Sequence, residues 1–68
     1  MDGIESILRV LEDGNWNRIS DLASRIGRSI AITEQIVEFL SEHGLLNYQS
    51  SQRIVRLDPE FLSLMNQT

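Results

Sequence analysis

The chain has 68 residues, 41% of them apolar, with ten acidic against six basic side chains and a net charge of −4. That length admits one domain, residues 1–68, and a domain so small buries only about 60% of its unfolded surface. Without cysteine there are no disulfides and no thiolate metal sites; no apolar run approaches the roughly 20 residues of a membrane span; and no basic-plus-apolar leader opens the chain, so a cytoplasmic address is expected.

The first predicted helix runs from Asp2 to Asp13. Ile4, Ile7, Leu8 and Leu11 form its apolar stripe. Asp2 and Glu5 have capping-box spacing, Glu5 and Arg9 are an exposed i, i+4 pair, and Gly14 is the stop. Asn15-Trp16-Asn17 leads on, with Trp16 expected to plug the edge of the core. Asn17 reads as the N-cap of a second helix, Arg18 to Ile26. Ile19, Leu22, Ala23 and Ile26 fall at i, i+3, i+4 and i+7 there. Gly27 ends that helix, because glycine tolerates the left-handed backbone of a C-terminal cap.

Ser29 is placed to cap a third helix, Ile30 to His43. Thr33, Ile36, Val37 and Leu40 make its inner stripe, which Ile32 and Phe39 are expected to widen. Helix, short glycine-containing turn and helix together form a helix-turn-helix layout. The opposite face carries Ile30, Ala31, Glu34, Gln35, Glu38, Ser41 and Glu42, with no basic residue. Glu34, Glu38 and Glu42 repeat at i, i+4 and would repel phosphates. His43 is the only histidine and has no partner at metal-ligand spacing; it reads as a helix-end residue facing the C-terminal dipole.

Residues 45–48 and 53–57 read as two strands around the polar turn 49–52. Val55 and Leu57 are expected to face the core, with Arg53 at the hairpin tip and Arg56 farther along. Asp58-Pro59-Glu60 then starts a short fourth helix. Its Phe61, Leu62, Leu64 and Met65 exceed what so small a core can cover, and are expected to form a homodimer contact.

The series Ile19-x-x-Leu22-Ala23-x-x-Ile26-Gly27-x-Ser29, then Thr33, Val37, Leu40 and Gly44-Leu45-Leu46, resembles the winged helix-turn-helix domains of small prokaryotic (archaeal and bacterial) transcription regulators. The likeness runs from about Trp16 to Leu57. It implies an α+β, mostly α fold with a three-helix core, a two-stranded wing and a short C-terminal helix. It also implies binding to double-stranded DNA and a role in transcription regulation. By position, Arg28, Ser29, Ile30, Ala31, Glu34 and Gln35 would meet the groove. Arg18, Arg25 and Arg28, with Arg53 and Arg56 of the wing, would anchor phosphates. Gln35 suits an adenine edge and Glu34 a cytosine amino group.

The residues themselves bear on two other classes. Catalysis needs a nucleophile with its base, paired carboxylates in a cleft or a metal, and no such constellation occurs, so an enzyme, a cofactor and a small-molecule substrate are not expected. A protein-interaction or dimerisation module on the same frame is the alternative to DNA binding. The acidic third helix and the apolar fourth helix speak for it.

Overall fold

The computed structural model describes residues 3–67. Its elements run α1 (Gly3–Val10), β1 (Asn17–Arg18), α2 (Ile19–Ile26), α3 (Ile30–Glu42), β2 (Leu46–Gln49), β3 (Ile54–Leu57) and α4 (Pro59–Met65). The fold is mixed α+β and mostly helical. The capping role expected of Asp2 lies outside the described residues. After Val10 the first helix unwinds through a turn in which the Gly14 N–H donates to the Leu11 carbonyl at 3.0 Å.

Local signals set most of the boundaries. Gly27 sits at φ 72° and its N–H bonds back to the Ala23 and Ser24 carbonyls, closing α2. The next two residues turn the chain, and the Ser29 hydroxyl accepts from the Ile32 N–H to open α3. Asp58 caps α4 in the same way, accepting from the Glu60 and Phe61 N–H groups ahead of Pro59. Gly14 is constrained by its backbone conformation and packs close to α4. Its φ is 77°, and a Cβ there would come within 2.8 Å of Leu62 Cδ2 on α4.

The core is Ile7, Leu11, Ile19, Leu22, Ala23, Val37, Leu40, Leu46, Val55 and Leu57. Helices α1, α2 and α3 each bury one stripe in a cluster shared with Leu46, Val55 and Leu57 of a three-stranded antiparallel sheet of order β1-β3-β2, with α1 packed on α2 and α3. Leu46 stands opposite Leu57 and Tyr48 opposite Val55, so the core phase of the hairpin is the one expected. Asn47 opposite Arg56, and Gln49 opposite Ile54, then fall on the outer face, because successive strand residues alternate sides.

Four expectations are corrected. Asn17 does not cap α2: it pairs with Val55 as part of β1, and Arg18 holds the N-cap position without a side-chain bond. The Ile19 N–H at the head of α2 donates instead to the Arg53 carbonyl at 3.0 Å, so backbone from the hairpin turn does the capping. Trp16 does not plug the core. It is 39% exposed, with the Arg56 guanidinium 4.6 Å from its ring centroid. Alternation from Asn17 puts it on the outer side of the sheet. Ile4 is also exposed, although it was expected in the first helix's stripe.

The fourth correction concerns α3. Ile32 and Phe39 do not widen its buried stripe; they are 43% and 52% exposed. The buried positions Thr33, Val37 and Leu40 already fill the contact with α1, α2 and β2. At 100° per residue Ile32 and Phe39 project about a quarter-turn or more from that line.

Thr33 is fully buried and its hydroxyl has no hydrogen-bond partner. Desolvating a hydroxyl without a partner costs about 1–3 kcal/mol, and valine has the same shape without that cost. Thr33→Val is therefore expected to raise stability by about 1 kcal/mol in urea unfolding, with an unchanged m-value. A lower midpoint would show that the hydroxyl has a partner in solution.

Candidate nucleic-acid interface

The residues expected to meet DNA divide into three groups. The first surrounds the start of α3. β1 pairs with β3 and so carries Arg18 to the side of the hairpin turn. Arg53 holds a left-handed φ of 55° in that turn. Arg18, Ile19, Ser20, Ile30, Gln52 and Arg53 line one open cleft of about 360 Å³. Arg28, Ser29, Ile30, Ala31 and Gln35 are all exposed, in the turn before α3 and along its first two turns. Three guanidinium groups thus belong to the turn before α3, the strand that leads into α2 and the hairpin tip.

Glu34 has a different environment from the one expected. It is half-buried, and its Oε2 accepts from the Tyr48 hydroxyl at 2.7 Å. The same oxygen lies 3.4 Å from an Arg53 amino group. Strand β2 supplies Tyr48 and the hairpin tip supplies Arg53, so Glu34 clasps the wing-like hairpin to α3. The pair with Arg53 is largely exposed, so solvent screens it and it contributes little to stability. The short bond from Tyr48 is the stronger link.

Burial raises the Tyr48 pKa above 10.0, and the hydrogen bond to Glu34 adds to that shift. The folded state therefore favours the neutral phenol. Its stabilising contribution is complete below pH 10 and is lost as pH rises through the higher folded-state value. In alkaline unfolding, Tyr48→Phe should be less stable at neutral pH and should lose less stability above pH 10 than the parent. Parallel curves for the two proteins would show that Tyr48 titrates alike folded and unfolded.

The second group is Arg56 alone. Besides stacking on Trp16, its Nε donates to Asn47 Oδ1 at 3.2 Å, and Asn47 Nδ2 donates to Asp58 Oδ1 at 3.2 Å. Arg56 is thereby committed to the outer sheet face and the head of α4. The third is Arg25, which lines a separate shallow cleft of about 320 Å³ with Ser6, Arg9, Val10 and Ile26, between α1 and α2. The expected phosphate anchors therefore do not form one stripe: Arg18 and Arg53 share a cleft, while Arg25 and Arg56 stand elsewhere.

On α4 the expected dimer residues also separate. Phe61 and Leu62 pack against the core, whereas Leu64 is 64% and Met65 37% exposed. Sequence reading missed Trp16 and Tyr48 as parts of this surface. The place of Tyr48 follows from strand alternation in the hairpin, and that of Trp16 from the pairing of β1 with β3. Among the described residues no three His, Asp or Glu side chains come together as a metal site, and no helix is long and apolar enough to cross a membrane. Comparison of the sequence with protein-family models and with curated proteins finds no match to either.

Proposed function

We propose that the chain is a winged-helix domain that binds double-stranded DNA through the N-terminal end of α3, and that it serves in transcription regulation. The observation that carries this reading is the charge polarity of α3. Arg28 precedes the helix, and Arg18 and Arg53 share the cleft that Ile30 lines. Glu34, the acidic residue nearest that end, is turned to Tyr48 and Arg53. The exposed acids Glu38 and Glu42 stand toward the other end. Helix-turn-helix domains read base edges with the first residues of the recognition helix, so this end is the one that must accept phosphate on both sides. Ala31 and Gln35 supply a neutral base-reading face, and β2–β3 is the wing.

Glu34 enters this reading as the residue that fixes the wing, not as a reader of cytosine. A protein-interaction module is the second reading. Exposed Ile32 and Phe39, flanked by Glu38 and Glu42, favour it.

Fluorescence anisotropy with random and genomic duplex DNA at low salt tests the proposal. Binding is expected, and Gln35→Ala should reduce discrimination between sequences by about 1–3 kcal/mol through loss of a bidentate contact. If neither the parent nor a Glu38→Gln, Glu42→Gln variant binds any duplex, the DNA reading falls and the interaction module stands.

A further inference from the structure

Helix α3 has two apolar stripes. Thr33, Val37 and Leu40 are buried. Ile32, Ile36, Phe39 and His43 form the other, at alternating steps of four and three residues. That is the spacing of a two-helix seam. Ile32 and Phe39 are 43% and 52% exposed, and Ile36 is half-buried. The His43 ring lies 4.6 Å from that of Phe39, extending the stripe to the end of the helix. Ile32 and Phe39 thus hold large apolar side chains in solvent on the same side of the helix.

The border identifies the occupant. Gln35 and Glu42 lie seven residues apart along one side of the stripe, at a position that flanks a seam, and Arg28 stands one residue before the Ser29 cap at the head of the helix. The series is positive, neutral, negative. A second α3 laid antiparallel across it, centred on Gln35, brings Arg28 opposite Glu42 of the second copy and Glu42 opposite its Arg28. Gln35 meets Gln35 at the two-fold axis. A parallel arrangement would set Glu42 against Glu42. Antiparallel packing also places the acidic end of each helix beside the positive end of the other's dipole.

We infer that this chain forms a two-fold homodimer through antiparallel α3 helices, with Ile32, Ile36 and Phe39 as the seam and reciprocal Arg28–Glu42 pairs at its ends. The inference rests on the structure of α3 and not on the DNA reading. The dimer covers Arg28 and Gln35, which the DNA reading assigns to the groove. Self-association and DNA binding therefore exclude each other, and the dimer is the form that cannot bind.

Sedimentation of the full chain over a range of concentrations tests this. A reversible monomer–dimer equilibrium is expected. Phe39→Asp should abolish it while keeping a cooperative melt, because Phe39 is outside the core. Arg28→Glu and Glu42→Arg should each weaken the dimer several-fold, and the two together should restore it. A parent that stays monomeric overturns the inference. So does a dimer that survives Phe39→Asp or that Leu64→Asp dissociates, since the latter places the contact on α4. Failure of the double charge swap to restore association rules out the antiparallel register. Adding duplex DNA to the parent should convert dimers into DNA-bound monomers; DNA-bound dimers held by the same seam would overturn the exclusion. If no DNA binds at all, the sedimentation results still decide the dimer while the DNA reading alone fails.

Discussion

Replacing Leu40 with alanine is expected to remove most of the stability of this domain. Leu40 is 2% exposed and lies on the buried line of α3, in one cluster with Ile7, Leu11, Leu22, Val37 and Leu46. Truncating a leucine in such a place costs about 2–5 kcal/mol, from lost transfer energy and from the cavity that remains. At about 0.05–0.15 kcal/mol per residue, a chain of this length has only several kcal/mol in all. Leu22, fully buried on α2, should behave alike. Thermal unfolding followed by circular dichroism will show a midpoint lowered by tens of degrees, or no cooperative transition. A melt within a few degrees of the parent would mean that the helices pack by another face. Ile32→Ala is the internal control, since nearly half of that side chain already faces solvent.

The second large effect concerns salt. If Arg18, Arg28 and Arg53 each neutralise one phosphate, the logarithm of the binding constant falls with a slope of about −0.9 per contact, roughly −2.7 for three. Raising salt from about 50 to 200 mM then weakens binding about 40-fold. Removing any one of the three arginines should lower the slope by about one unit and weaken all duplexes alike. Arg56→Ala should leave the slope unchanged, because that guanidinium is held on Trp16 and Asn47. Arg25→Ala should also leave it unchanged, since Arg25 faces the α1–α2 cleft. A slope that responds to Arg25 or Arg56 and not to Arg18 or Arg53 would move the DNA to another face.

Much of the frame was legible because it rests on local chemistry. Gly27, Ser29 and Asp58-Pro59 act within a few residues of themselves, and each does in the structure what its side chain or backbone freedom dictates. Alternation left two phases for the second hairpin strand, and the favoured one, with Val55 and Leu57 inward, is the one that is buried. What escaped was decided at a distance. Asn17 is a good capping residue, but pairing with Val55 takes it into a strand. Ile32 and Phe39 satisfy helical periodicity as well as Thr33 and Leu40 do. Only the positions of α1, α2 and β2 decide which stripe is covered. The candidate site was read less well for the same reason. Arg18 and Arg53 are far apart in sequence and adjacent through β1, while Glu34 looked solvent-facing until Tyr48 reached it.

The bond from Ile19 N–H to the Arg53 carbonyl ties the head of α2 to a turn more than thirty residues later. A helix of eight residues has little persistence alone. Its first turn is completed only after the hairpin has closed, so the two should open together as one cooperative unit. In native-state hydrogen exchange, the Ile19 amide is expected to share its opening free energy with the amides of β3. An arm that merely swung from the body would exchange ahead of α2. This one is built into the same folding event, and whatever the hairpin tip touches is coupled mechanically to the helix that precedes the turn.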